Sequence, residues 1–311
     1  MLSKRILALV ASILLTSAAC GGGGSSEPMT VVTPPPTPAP PPINVNIDNP
    51  TLTIADNNEV SPGDALTLVW ADEFDAGQLD PEVWFFETGD GSDYGIPGWG
   101  NNELQYYLPD NAWLENGLLT IEARAESTNG FSYTSARINT RDRFAFRYGR
   151  IEARMRLPGG QGLWPAFWLM PQEDLYGTWA ASGEIDIMEA VNLGGAGGND
   201  VHGTIHYGGE WPNHASSGEG YLVPADATAE FHTYAIEWDA LEIRWYVDDV
   251  LYAMQNFWYS TGGAFPAPFD QPFYIILNVA VGGNWPGSPD GSTVFPVSME
   301  VDWVRVYSGD P

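Results

Sequence analysis

Past residue 5 the 311-residue sequence contains no lysine, and its 12 Lys+Arg stand against 40 Asp+Glu, a formal net charge of -28. A chain so short of cations repels phosphate backbones, which excludes nucleic acid as a partner class. Nor would it be drawn electrostatically to an anionic membrane surface. Cys20 is the only cysteine, which rules out an intramolecular disulfide framework and a cysteine-based zinc site. The apolar run Ile6–Leu15, of about ten residues, is too short to cross a bilayer as a helix. No long stretch shows helical periodicity, and no repeat of fixed period is present. What the sequence does have is 44% hydrophobic residues, 13% aromatics including 13 Trp, 35 Gly and 25 Pro. That composition excludes a disordered polyanion and favours a globular chain of many turns.

The first residues read as a targeting segment. Lys4 and Arg5 precede the apolar run, and Ser17, Ala18 and Ala19 lead into Cys20. Small residues ending at a lone cysteine resemble the bacterial lipoprotein signal, which implies cleavage after residue 19 and acylation of Cys20. The expected location is therefore outside the cytoplasm, as an outer-membrane, cell-surface or periplasmic lipoprotein touching the membrane only through that anchor. Without residues 1–19 the chain would keep ten arginines, no lysine and a net charge of -30. Residues 20–65 read as a linker that begins Gly/Ser-rich and contains the tract TPPPTPAPPP. At about 3.1 Å per residue the tract alone would act as a spacer of roughly 30 Å.

From residue 66 to 311 the pattern is that of one β-domain. Ile151, Ala153, Met155 and Leu157 alternate strictly with Arg150, Glu152, Arg154 and Arg156. Similar runs cover 118–125, 134–140, 231–239 and 300–307, most ending in or near turn residues. Short strands over about 240 residues predict an all-β, two-sheet antiparallel sandwich of jelly-roll type.

The sharpest feature is SGEIDIMEAV at 182–191, with Glu184, Asp186 and Glu189. Residues i and i+2 of a strand share a face, so Glu184 and Asp186 point together and Glu189 would point away, into the core. Burying an ionised carboxylate costs several kcal/mol, on the order expected for an unpaired charge. A β-bulge near Ile187–Met188 returns Glu189 to the face of the other two. Three carboxylates on one face repel one another and raise at least one pKa, the condition for a general acid at neutral pH. Two glutamates leaning together to about 5–5.5 Å would suit a retaining glycosidase. That assigns Glu184 as nucleophile, Glu189 as acid/base and Asp186 as the group between them. The alternatives are a solvated acidic strand and a hard-cation site.

GEIDIMEAV resembles the signature of glycoside hydrolase family 16 in its bulged E-x-D-x-x-E form. WADEFD (70–75), GWGNNELQYY (98–107), YTSARINT (133–140), YGRIEARMRLP (148–158), GLWPAFWLMP (162–171), FHTYAIEWD (231–239), NVAVGGNWPG (278–287) and EVDWVRVY (300–307) resemble its laminarinase-like, endo-β-1,3-glucanase branch. The resemblance covers residues 66–308. It implies a jelly roll with an open cleft on its concave face, the same three catalytic roles, and a monomeric hydrolase acting on a polysaccharide. It also implies sugar contacts from Trp164 and Trp179, with Trp99, Asn101, Asn102 and Arg137 at the cleft border. His206 resembles the family histidine near the acid/base; His202, His214 and His232 carry no such implication.

Catalysis by carboxylates needs no cofactor. A zinc held by His202 and His206 is excluded by the roughly 13 Å between positions four apart on a strand. Relatives imply a structural calcium, for which Glu73, Gly117 and Asp302 match the positions, and an oxygen-only shell suits that ion. The expected substrate is β-1,3-glucan. Mixed-linkage glucan is the runner-up, agar and carrageenan follow, and a non-catalytic glucan-binding module is the reading from another class.

Overall fold

The computed structural model describes residues 66–195 and 198–308, and the backbone of Thr53–Asp56. The signal segment, Cys20 and the proline tract lie outside the described residues.

Two large sheets make the domain, with four short 3-10 turns and no α-helix among the described residues. The nine-stranded sheet runs Thr53–Asp56, Phe144–Arg147, Phe273–Val281, Leu163–Pro171, Glu184–Glu189, Asp200–Gly208, His214–Leu222. Arg137–Asn139 pairs with Phe273–Val281, and Phe85–Glu87 pairs with Arg137–Asn139. This is the site sheet. The eight-stranded back sheet runs Val250–Gln255, Ile243–Val247, His232–Trp238, Gly149–Arg156, Val297–Ser308, Leu118–Ala123, Ala112–Glu115, with Thr67–Asp72 also on Val297–Ser308. Neighbours within both sheets are antiparallel except Thr53–Asp56, which lies parallel to Phe144–Arg147. Composition alone put Thr53–Asp56 in the linker; Thr53 and Ile54 suit an edge strand, and the sheet takes them up.

The core lies between the sheets. Phe167, Leu169, Ile185, Met188, Val201 and Ile205 of the site sheet are fully enclosed, as are Ile151, Ala153, Met155, Ile236, Trp238 and Trp245 of the back sheet. The expected sandwich is what forms, because each alternating strand has one apolar face to bury. Two departures have physical causes. Arg150 and Glu152 are buried rather than solvated, because Arg150 pairs with Glu152, Glu237 and Asp249 on the outer face of the back sheet. Phe273–Val281 has no alternation because it is buried along its whole length. One side meets the core, and Trp168 and Met170 pack on Tyr274 and Ile276 on the other.

One core contact reaches directly under the carboxylate strand. Trp245 Nε1 donates to the backbone carbonyl of Asp186 at 2.8 Å. The indole fits because the neighbouring strand offers Gly203: a Cβ there would sit 2.3 Å from Trp245 Cδ1. Gly203→Ala is therefore expected to cost about 3 kcal/mol or more through forced repacking. Gly291→Ala, in open space, should stay within about 0.5 kcal/mol. Chemical-denaturation midpoints check both, and equal midpoints would contradict the packing argument.

Candidate active site

The site is built on the strand Glu184–Glu189 between Leu163–Pro171 and Asp200–Gly208. On one side Trp168 pairs with Asp186 and Phe167 with Met188, so Ile187 is the extra residue. On the other, Asp186 faces Thr204 and Glu189 faces His202, three residues against two. The bulge lies where the sequence required it. Glu189 thereby shares the open face with Glu184 and Asp186, while Ile185 and Met188 go to the core. Asp186 is buried and the two glutamates are half-buried, so the three are not a fully solvated acidic strand.

Each glutamate is held by an indole. Trp179 Nε1 donates to Glu184 Oε2 at 2.9 Å, and Trp164 Nε1 donates to Glu189 Oε1 at 2.9 Å. These two tryptophans were expected to touch sugar; their first visible role is to orient the carboxylates. Trp179 adopts φ 49°, a left-handed conformation that costs a bulky residue roughly 1–2 kcal/mol.

His206 lies opposite Glu184 in the register, with Nε2 3.6 Å from Glu184 Oε1 and 3.3 Å from Asp186 Oδ2. The resemblance placed this histidine near Glu189; in the register it faces Glu184 and lies within charge range of Glu189, and His202 is the residue directly opposite Glu189. Burial alone would lower the His206 pKa. Contact with Asp186 and the charges of Glu184 and Glu189 outweigh it and hold the pKa up at about 10. Glu184, Asp186 and His206 bring one ligand atom each within 4.8 Å of the others.

The same surroundings split the two glutamates. Burial and the Asp186 charge push Glu184 up to about 7, against the pull of His206, the Trp179 N–H and Arg137. Glu189 is pushed well above the usual carboxylate range by burial and by the charges of Asp186 and Glu184. Glu184 lies beside the His206 cation, which favours its charged form, while Glu189 lies farther from that cation and beside two carboxylates, which favours its protonated form. One carboxylate can attack while the other donates a proton, which is the two-carboxylate arrangement of glycoside cleavage.

The other expected residues divide. Arg137 is buried, paired with Glu87, its guanidinium 4.6 Å from the Trp99 ring centre and 4.8 Å from that of Trp168. Trp99 is 4% exposed and donates to Gly89 O, so its expected sugar contact is corrected to a supporting place behind Arg137. Asn101 is half-buried and Asn102 hydrogen-bonds Asn284 Oδ1 at 2.8 Å. The calcium set does not fit: Arg305 takes both Glu73 carboxylate oxygens at 2.8 Å, and Arg154 takes Asp302 Oδ2. With Gly117 able to add only backbone, these residues form ion pairs rather than an acidic shell.

Sequence reasoning missed the aromatic ends of the site. Trp211, 72% exposed, stacks on His214, which lies 4.5 Å from Trp179 on the Glu184 side. Trp285, 43% exposed, stands edge-on to Trp164 at 5.5 Å and to His202 at 5.1 Å on the Glu189 side. Flat exposed indoles beside paired carboxylates suit pyranose C–H faces. The fold and site thus define a polysaccharide-cleaving β-sandwich hydrolase.

The chain belongs to the glycosyl hydrolases family 16, whose model matches residues 91–305. It is 42% identical over 288 residues to glucan endo-1,3-beta-glucosidase A1 of Niallia circulans, covering 84% of this chain and 42% of that longer protein. It is 45% identical over 262 residues to a beta-glucanase of Rhodothermus marinus, covering 77% of this chain and 84% of that one. Among solved structures, the laminarinase catalytic domain of Thermotoga maritima MSB8 superposes with a TM-score of 0.71 at 43% identity, over 79% of this chain and 99% of that one.

Replacing His206 by Asn removes the cation 3.6 Å from Glu184. The Glu184 pKa should then rise by about one unit or more. Carboxyl carbon-13 NMR of wild type and variant reads this directly; an unchanged or lower value would contradict the assigned charge.

Proposed function

We propose that the chain is a retaining endo-hydrolase of β-1,3-glucan, of laminarin type, working by double displacement. Glu184 is the nucleophile, Glu189 the acid/base, and Asp186 holds His206 charged beside Glu184. The single observation that carries the reading is the bulged strand that sets both glutamates on one face in unlike surroundings.

The geometry describes the steps as follows. Glu184, ionised, attacks the anomeric carbon with its Trp179-bound carboxylate already oriented. Glu189 gives its proton to the departing glycosidic oxygen. Once the glycosyl ester exists, the negative charge at Glu184 is gone; deprotonated Glu189 takes a proton from an incoming water as the water oxygen bonds to the anomeric carbon and the ester bond breaks, returning Glu184 as a carboxylate. Two inversions at one carbon leave the β-configuration retained. No cofactor enters.

The substrate class rests on the named activities of the relatives and on the aromatic ends of the cleft, which offer uncharged platforms to a neutral glycan. A sulfated polymer would call for basic cleft residues; Arg137 is buried against Glu87. The reading of residues 1–19 as a lipoprotein signal, with Cys20 acylated and 20–65 as spacer, rests on the sequence alone and would place the domain at the cell envelope.

Glu184→Gln should lower turnover of laminarin on the order of 10³-fold or more while the fold and glucan binding persist. Proton NMR of the first product should show the β-anomer. Near-normal turnover in the variant, or an initial α-anomer, would overturn the assignment.

A further inference from the structure

A buried carboxylate behind the site takes no part in the steps above. Glu103 follows the turn Pro97–Gly100 and is almost wholly enclosed. Its Oε2 accepts hydrogen bonds from Gln105 Nε2 at 2.7 Å and from the Tyr107 hydroxyl at 3.3 Å, and its Oε1 accepts one from Asn101 Nδ2 at 3.3 Å. Its own backbone N–H donates to Gly98 O at 3.1 Å, closing the turn. An enclosed carboxylate is expensive unless donors converge on it, and here three do.

Two paths lead from this anchor to the site. Along the floor, Asn278 Nδ2 donates to the Tyr107 hydroxyl at 3.2 Å, and Trp168 Nε1 donates to Asn278 Oδ1 at 2.8 Å. Trp168 is the strand partner of Asp186. Along the rim, the turn is latched to the loop that carries Trp285. Asn284 N donates to Asn101 O at 2.8 Å, Asn102 Nδ2 donates to Asn284 Oδ1 at 2.8 Å, and Leu104 N donates to Val281 O at 2.8 Å. Asn102 sits at φ 56°, a conformation that asparagine tolerates, and this turns its amide toward the latch. The next residue, Trp285, rests against Trp164, which holds Glu189.

We propose that Glu103 is a positioning residue for glycan binding: its buried carboxylate fixes the turn 98–103, and the latch to Asn284 holds the Trp285 indole as a wall of the glycan path beside Glu189. Glu103 contacts neither catalytic glutamate in the hydrogen-bond network, so its effect falls on binding rather than on proton transfer. The inference rests on the glucan-hydrolase reading.

Steady-state kinetics on laminarin with the full chain test it, with wild type run in parallel. Glu103→Gln puts an amide N–H among three donors. KM should rise about tenfold, the scale of one lost aromatic contact, with kcat within about twofold and an unmoved pH profile of kcat. The swap Glu103→Gln/Gln105→Glu restores one carboxylate and one amide to the cluster and should bring KM back to within about threefold of wild type. Should the single variant fail to fold, Asn102→Ala/Asn284→Ala removes the side-chain bond of the latch, leaving its two backbone bonds, and should raise KM in the same direction. An unchanged KM in the folded variants, or a fall in kcat with a displaced pH profile, overturns the positioning role. Wild type that leaves laminarin intact would instead overturn the glucan-hydrolase reading itself.

Discussion

The site depends on one extra residue. Ile187 breaks the two-residue period of the strand Glu184–Glu189, and without it Glu189 would point into a core of Phe167, Leu169 and Ile205. A bulge loosens a ladder, so it needs support from elsewhere. Trp245 supplies that support from the back sheet by donating to the Asp186 carbonyl, and Gly203 leaves room for the indole. The back sheet is thus more than a cover for the core. It fixes the irregularity that the chemistry requires.

Charge separation follows from that geometry. Three carboxylates on one face would be a liability if they were equivalent, since each raises the cost of ionising the next. They are made unequal by position. Glu184 has His206 beside it and an indole N–H, and Glu189 has an indole N–H with the cation farther off. The net surplus of acid in the chain plays no visible part in this, and on the outer face of the back sheet some carboxylates pair with arginine, as Glu152 does with Arg150 and Glu73 with Arg305.

Much of this was legible in the sequence, and what was legible had a physical signature. Alternation at Ile151, Ala153 and Met155 marked a strand with one dry face, and the same rule showed that Glu189 needed a bulge to avoid burial as an unpaired charge. Elsewhere that signature was absent. Phe273–Val281 is covered on both sides and shows no period. The run expected over 134–140 splits at Ala136 into Tyr133–Ser135 and Arg137–Asn139, because the first half leaves for a small parallel pairing with Gln105–Tyr107. Trp211 lies in the turn before the strand His214–Leu222 and Trp285 in the turn after Phe273–Val281, far apart in sequence, and only the register of the site sheet brings them to the two ends of the carboxylate strand. Trp99 looked like a sugar contact because it sits in a Gly-flanked loop. The positive φ of Gly98 and of Trp99 itself folds that loop so that the indole turns inward onto Tyr107 and Arg137.

The central claim is that the bulge makes Glu184 and Glu189 do different jobs on one face. Trapping the glycosyl ester tests it most directly: the enzyme is incubated with an activated 2-deoxy-2-fluoro β-glucan oligosaccharide, digested, and the labelled peptide sequenced by mass spectrometry. The expected result is one covalent sugar on Glu184, with none in Glu184→Gln. A label on Glu189, or no covalent adduct while the probe is turned over, would contradict the account.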